Sequence, residues 1–327
     1  MTRRTSDYDE DDVRIRPGRS KTRPRSKERP SHENAVPAVV RAVDRGRFTC
    51  RIAGADRDVV AMRARELGRQ GLVVGDRVDL VGDTDRPDTL ARIVRVQPRK
   101  SVLRRTADDS DPVERVLVAN ADQLAIVTSL ANPEPRGGFI DRCLVAAYDA
   151  GVAPLLVLTK ADLADENDLI RSYRDLGVPT VLTSRDGELD ELMGRLAGLE
   201  TAMIGPSGVG KSTLVNRLVP EAERATGVVN EVTGRGRHTS SSAVAFPLTD
   251  DGWIVDTPGV RSFGLAHVRT DRVLSAFPEI LAATAECPRS CTHDEPDCAL
   301  DEAVRSGTVD ERRLASLRRM LTGLKRD

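Results

Sequence analysis

The sequence predicts three parts: an OB-like β-barrel, a central α/β domain, and a small, mainly helical C-terminal domain held by a metal. Three observations predict them. Five short β-branched runs crowd residues 37–98. Between residues 113 and 264, apolar strands alternate with amphipathic helices around Gly205-Pro206-Ser207-Gly208-Val209-Gly210-Lys211-Ser212-Thr213, which fits the phosphate-binding pattern G-x-x-x-x-G-K-[ST]. Residues 265–327 carry Cys287, Cys291, His293 and Cys298.

Composition sets the bounds. The chain has 327 residues, 39% hydrophobic and 31% charged, with a net charge of −1. That suffices for more than one buried core under a charged surface. No run is long and apolar enough for a transmembrane helix, and the polar N-terminus is no signal peptide. Three of the five cysteines fall within twelve residues, which argues for metal binding in a reducing cytoplasm rather than a disulfide framework. Aromatic residues make up 3%, which excludes base stacking as a main mode of nucleic-acid contact. A cytoplasmic monomer with no membrane contact is expected.

Residues 1–36 read as a disordered tail. An acidic block (Asp7 to Asp12) precedes a basic one (Arg14 to Arg29) laced with Pro and Ser. It is either a solvated arm or one that neutralises RNA phosphates. The barrel strands are expected at Ala38–Val43, Phe48–Ile52, Val59–Met62, Val78–Val81 and Ile93–Val96, punctuated by glycines. Its role, RNA contact or plain packing, is left open by the pattern. Residues 99–112 read as a basic linker, Arg99-Lys100-Ser101-Val102-Leu103-Arg104-Arg105 and a polar stretch. It is a loop between domains or an RNA-facing strip.

In the central domain, residues 113–264, strands are expected at Leu124–Leu130, Leu155–Thr159, Thr180–Thr183, Thr201–Ile204, Ala243–Phe246 and Trp253–Asp256. Helices are expected at Phe139–Ala150, Glu166–Leu176, Leu189–Leu196 and Ser212–Val219. In the last helix Leu314, Leu317, Met320, Leu321 and Leu324 form an apolar stripe. Arg312, Arg313, Arg318 and Arg319 oppose it, and solvated arginines are the expectation. Thr308-Val309-Asp310-Glu311 reads as its capping box.

The phosphate loop sits between a short apolar strand and a helix, where glycines let the backbone aim its N–H groups at an anion. Lys211 suits the β and γ phosphates, and the Ser212 hydroxyl suits Mg²⁺. Asp256-Thr257-Pro258-Gly259 ends the strand Trp253-Ile254-Val255. Its carboxylate is placed to hold Mg²⁺ through water, and the Gly259 N–H to sense a γ-phosphate. Between the two lies the basic, hydroxyl-rich stretch 233–242, which suits a switch loop. Thr239 is its candidate Mg²⁺ ligand. Guanine requires a carboxylate for its N1–H and exocyclic amine. Downstream no lysine motif supplies it, but upstream Thr159-Lys160-Ala161-Asp162 closes a strand. Asp162 pairs with the base in this reading, Lys160 lies along its plane and Thr159 steadies the loop. Thr183 and Ser184, at the end of the next strand, offer backbone contacts to the base oxygen. The base loops thus precede the phosphate loop, the switch and D-x-x-G, which is the order of a circularly permuted GTPase.

These motifs resemble the ribosome small-subunit-dependent GTPase A family, also called RsgA, YjeQ or EngC. The resemblance spans roughly residues 37–327. It rests on the OB-like start, the permuted order, Gly234-Arg235-Gly236-Arg237-His238-Thr239, Asp256-Thr257-Pro258-Gly259-Val260-Arg261 and the Cys/His cluster. It implies hydrolysis of GTP to GDP stimulated by the small ribosomal subunit and its rRNA, a role in late subunit maturation, and a zinc-binding C-terminal domain. Three thiolates and one imidazole make a closed set of the structural type. Their spacing is one residue shorter than the family pattern at two gaps. Thr159 stands where asparagine is commoner, and Val260 where many GTPases place a water-orienting glutamine. Hydrolysis then needs another group, for which His238 is the catalytic candidate; contact with RNA or solvent is its alternative role. Arg235 and Arg237 serve transition-state charge or RNA phosphates. Cys50 and Cys143 read as buried packing residues. Two rival functions remain at this stage: an ATP-using kinase or ATPase, and an RNA-binding adaptor with a structural nucleotide site.

Overall fold

In this computed structural model the description covers residues 32–325, apart from 69–70, 85–89, 107–113, 176, 221–242, 259–267, 269–272, 275–276 and 296–297. The expectations for the N-terminal tail up to residue 31, for Arg235, Arg237, His238 and Thr239, and for Gly259 and Val260 lie outside the described residues.

Five strands close the barrel: β1 (Val36–Asp44), β2 (Arg47–Ile52), β3 (Asp58–Arg63), β4 (Arg77–Val81) and β5 (Leu90–Val96). They pair in the order β1-β2-β3-β5-β4 and back to β1, with β3 and β5 parallel. Alternate residues such as Val40, Cys50, Ile52, Val59, Ala61, Leu80 and Ile93 fill the interior, as the period of two requires. The thiol of Cys50 is buried there, and desolvation pushes its pKa up to about 12. That matches its reading as a packing residue. Cys143 is likewise fully buried, and its thiol is raised for the same reason.

The central sheet contains β8 (Gln123–Ser129), β9 (Ala153–Thr159), β10 (Thr180–Leu182), β11 (Glu200–Ile204), β12 (Val244–Pro247) and β13 (Trp253–Asp256). Its order is β10-β9-β8-β11-β13-β12, parallel except for β12. Both faces are covered. Leu124 and Ile126 face one core with Ile140, Leu144 and Tyr173. Their neighbours Ala125 and Val127 face the other with Leu192, Leu214 and Val215. The covering helices are α1 (Gly137–Ala150), α2 (Asp168–Asp175), α3 (Asp190–Leu196) and α4 (Lys211–Leu218). Gly151 ends α1 in the left-handed conformation, φ 65°, and its N–H caps the Ala147 carbonyl.

The barrel joins this sheet through β1. A bulge between Val40 and Ala42 lets the strand continue from the barrel to the edge strand β12, where Ala42 faces Val244. The bulged residue is Arg41. Its guanidinium donates to the Ala245 carbonyl at 3.0 and 2.8 Å and to Asp58 at 2.7 Å, and it lies 4.9 Å from the centroid of Trp253.

The expected loop at 99–112 is corrected in part. Val102–Arg105 forms β6, paired antiparallel with β7 (Arg115–Ala119). Leu103 and Val118 are buried, so the basic run hides an apolar face that only pairing across the chain reveals. Three of its cations are engaged within the protein: Arg99 with the fully buried Asp76, Lys100 with Asp122 and Arg104 with Glu114. Gly75 lets the barrel meet β7. A Cβ there would lie 2.0 Å from the Ala119 carbonyl oxygen.

C-terminal helices α5 (Pro278–Ala283), α6 (Ala299–Arg305) and α7 (Glu311–Lys325) pack on the α1 and α2 face. Leu314, Leu317, Met320 and Leu321 are buried as expected; Leu324 lies outside the described side chains. Two expectations change. The cap of α7 is Asp310, whose carboxylate accepts from the N–H groups of Arg312 and Arg313 at 2.8 and 3.2 Å, not Thr308. A carboxylate two residues from those N–H groups outcompetes a hydroxyl farther away. Nor are the arginines simply solvated. Arg313 pairs with Glu279, Arg318 grips Asp301 at 2.8 and 2.9 Å, and Arg319 grips the buried Asp141 at 2.6 and 3.1 Å. Acids on neighbouring helices recruit them, and of these Asp141 is buried.

Trp253 is the single tryptophan, so its emission reports the barrel junction. Arg41→Ala should red-shift the native emission and lower stability by about 2–3 kcal/mol, from the lost charge-assisted bonds and cation–π contact. A urea titration with unchanged midpoint and emission maximum refutes this role for Arg41.

Candidate functional site

The sheet brings the expected loops to one edge. β9, β10, β11 and β13 run parallel, so Thr159, Thr183, Gly205 and Asp256 all lie at carboxyl ends, where α/β sheets bind ligands.

The phosphate loop spans Gly205–Gly210 between β11 and α4. Gly208 and Gly210 have φ of 85° and 93°, which L side chains rarely adopt. A Cβ on Gly205 would meet the Val127 carbonyl oxygen at 2.5 Å. Val209 is buried beneath the loop; Ser207 and Gly208 are exposed above it, with Pro206 between these extremes. Ser212 and Thr213 lie exposed in the first turn of α4. Lys211 is 7% exposed, and its ammonium bonds the Asp256 carboxylate and, at 2.5 Å, the Thr257 carbonyl. A buried ammonium requires such partners. Thr257 is fixed in turn through its hydroxyl, which donates to the Met203 carbonyl at 2.7 Å.

The base loop is tied to the phosphate loop at two points. The Thr159 hydroxyl bonds the Val209 carbonyl. Lys160, with φ 57°, sends its ammonium to the carbonyls of Asn132 and, at 3.0 Å, Gly208. Sequence reasoning placed Lys160 along a base plane and missed this bridge, because a lysine head has no signature for its acceptor. The loop Asn132–Pro133, which supplies it, was also unsuspected. Ala161 donates to the Thr183 carbonyl at 3.1 Å, and Thr183 donates to the Leu158 carbonyl at 2.7 Å. The two base loops are therefore one unit. Asp162 is exposed at its rim.

At the C-terminal cluster, the donor atoms of Cys287, Cys291, His293 and Cys298 all lie within 4.8 Å of one another. Cys287 Sγ is 3.7 Å from His293 Nδ1 and 3.8 Å from Cys298 Sγ. Zinc–sulfur bonds of about 2.3 Å give a tetrahedron edge of about 3.8 Å, so this donor set fits zinc. The shortened spacing is accommodated by left-handed turns at Ser290 and His293, φ 64° and 67°. The His293 N–H points to Cys291 Sγ at 3.3 Å. Glu295 braces the knuckle by accepting from the Thr292 N–H, which holds its carboxyl down at about 2. It also accepts from the Asp294 N–H at 3.2 Å and lies 3.3 Å from Cys291 Sγ. Among the described residues no helix is long and apolar enough to cross a membrane.

Comparison with known proteins agrees with this arrangement. The RsgA GTPase family matches residues 96–266. A relative from Ectopseudomonas mendocina, called small ribosomal subunit biogenesis GTPase RsgA, is 41% identical over 245 residues, covering 72% of this chain and 71% of its own. One of the same name from Pseudomonas syringae pv. syringae is 40% identical over 267 residues, covering 78% and 76%. Among solved structures, YjeQ from Thermotoga maritima superposes with a TM-score of 0.67 at 28% identity, over 90% of this chain and 99% of its own. YloQ, described as a circularly permuted GTPase, gives 0.63 at 23% identity, over 91% and 98%, and supports the fold. The barrel, the permuted order of base loop and phosphate loop, and the family match together place this chain in the RsgA GTPase family, whose members hydrolyse GTP.

Proposed function

We propose that this protein is a GTPase of small ribosomal subunit biogenesis, stimulated by that subunit, whose nucleotide state times binding and release late in maturation. The observation that carries this reading is the single edge at which Lys211, Asp256 and the Thr159–Asp162 loop converge. The names of its relatives supply the ribosomal context.

In this reading the N–H groups of Ser207 to Thr213 and the Lys211 ammonium hold the phosphates. The hard hydroxyl oxygens of Ser212 and Thr239 would ligate Mg²⁺, and the Asp256 carboxylate would hold it through water. An Mg²⁺ held there would supply positive charge against that developing on the phosphates. The Asp162 carboxylate accepts from guanine N1–H and the exocyclic amine. Thr159 and Lys160 hold that loop against the phosphates, while Ala161, Thr183 and Ser184 line the base oxygen. The Gly259 N–H senses the γ-phosphate. His238 orients the attacking water, because Val260 cannot hydrogen-bond one. Cys287, Cys291, His293 and Cys298 hold one structural zinc, which ties a segment with little core of its own. The chain acts as a cytoplasmic monomer on the subunit and its rRNA.

Phosphate release from GTP and ATP, with and without purified small subunits in Mg²⁺, tests the function. Slow GTP turnover should rise tenfold or more only with the subunit, on the order of what a supplied catalytic group contributes. Preference for ATP, or no stimulation, overturns it. His238→Ala should abolish the stimulation while leaving GTP binding intact.

Asp162→Asn should weaken GTP binding by about a hundredfold and favour xanthosine triphosphate, because the carboxylate that accepts from the guanine N1–H and exocyclic amine is lost. Equal affinity for GTP in mutant and parent removes Asp162 from the base site. Cys298→Ser should reduce bound zinc, measured by elemental analysis, from about one equivalent to a small fraction. It should also open residues 277–325 to proteolysis. Full zinc retention contradicts the ligand set.

A further inference from the structure

We infer that Arg217 is a positioning residue for guanine selection, acting as a strap that fixes the base-reading loop from the helix that follows the phosphate loop. Arg217 lies in α4, six residues beyond Lys211. Its guanidinium donates through Nη1 to the Ser184 carbonyl at 2.7 Å and through Nη2 to the Gly187 carbonyl. Two donors in one rigid plane thus close the turn Ser184-Arg185-Asp186-Gly187.

The near end of this loop is already fixed by the sheet, through Thr183 to Leu158 and Ala161 to Thr183. Its far end is not. Among the described residues, Arg217 makes the only hydrogen bonds that reach residues 184–187 from outside the loop. The Ser184 N–H has no acceptor among the described residues. With its carbonyl gripped by Arg217, the Ser184–Arg185 peptide is anchored, while the sheet anchors Thr183 on the other side, so the Ser184 N–H between them is limited to a narrow range of orientations. A peptide plane is rigid and its local rotation is what a purine 6-oxo group would select. The strap also makes α4 a single lever: its first residue contacts phosphate and its seventh sets the base loop. The inference rests on the proposed role of Ser184 as the contact for the base oxygen, and it adds the residue that orients that contact.

Three nucleotides separate the possibilities in equilibrium binding to the full-length protein: GDP, inosine diphosphate, which keeps the 6-oxo group and N1–H but lacks the 2-amino group, and 2-aminopurine riboside diphosphate, which keeps the 2-amino group but lacks both the 6-oxo group and the N1–H. In the parent, GDP should bind at least about tenfold more tightly than the 2-aminopurine analogue, which loses the contacts of both the 6-oxo group and the N1–H. Arg217→Ala should weaken GDP and inosine diphosphate by about tenfold and leave the 2-aminopurine analogue within about twofold. Arg217→Lys, which keeps the charge but not the fork, should fall between. Loss of affinity by one common factor for all three nucleotides, or no loss for any, overturns the inference. If the parent itself fails to distinguish GDP from the 2-aminopurine analogue, the assignment of Ser184 fails, and that result is visible before any variant is made.

Discussion

The parallel register of β8, β9, β11 and β13 is the constraint on which the rest depends. Met203 faces Asp256, Ile204 faces Ile126, and Ser129 faces Thr159 across neighbouring strands. Shifting one strand by a single residue would exchange the apolar sets on its two faces, both of which are buried. It would also carry Asp256 away from Lys211 and Thr159 away from Val209. The two cores therefore lock the site: the packing of Leu155, Leu156, Val157 and Leu158 decides where Thr159 ends up. Chain order does not enter this logic. Strands fed into the sheet in a permuted sequence still end at the same edge, so base loop and phosphate loop meet despite their reversed order along the chain.

Within that edge, polar side chains link loops that the backbone alone leaves separate. Thr159 reaches Val209, Lys160 reaches Gly208, and Lys211 reaches Asp256 and Thr257. The Thr159 and Lys211 bonds join groups that are at least partly buried, where an unmade bond costs about 1–3 kcal/mol; the Lys160 bond is exposed. A hydroxyl at position 159 is enough for this brace because the Val209 carbonyl lies directly beneath it. The departure from asparagine thus keeps the connection between loops.

Much of the fold was legible because its signals are local. Barrel strands alternate with period two, the sheet strands are short apolar runs, and the phosphate loop and Cys/His cluster are written within a dozen residues each. What escaped prediction is tertiary. β6 reads as a charged loop until β7, beyond a polar stretch, covers Leu103. Asp310 displaces Thr308 as the cap because helix phase, not motif order, decides which side chain faces the first N–H groups. Arg319 and Asp141 lie 178 positions apart, and no periodicity connects them. Arg217 follows Asn216 near the end of α4 with no pattern to mark it, so only the fold reveals its two acceptors.

The same long-range arginines decide how the C-terminal segment is held. α7 buries Leu314, Leu317, Met320 and Leu321, yet apolar contact alone permits sliding. Adjacent arginines prevent it in two directions. Arg318 bonds the His293 carbonyl at 2.8 Å and clamps Asp301 of α6, and so grips the Cys/His knuckle. Arg319 clamps Asp141 of α1 and lies 5.4 Å from the ring centre of Tyr173 of α2, whose hydroxyl donates to the same Asp141 at 2.8 Å. α2 follows the Thr159–Asp162 loop directly in the chain. One turn of α7 therefore touches the knuckle on one side and the helix behind the base loop on the other. Paired, hydrogen-bonded charges of this kind are costly to separate. A displacement of the knuckle must either move α2 with it or break the Asp141 cluster. This makes the C-terminal segment a mechanical extension of the nucleotide domain rather than an appendage.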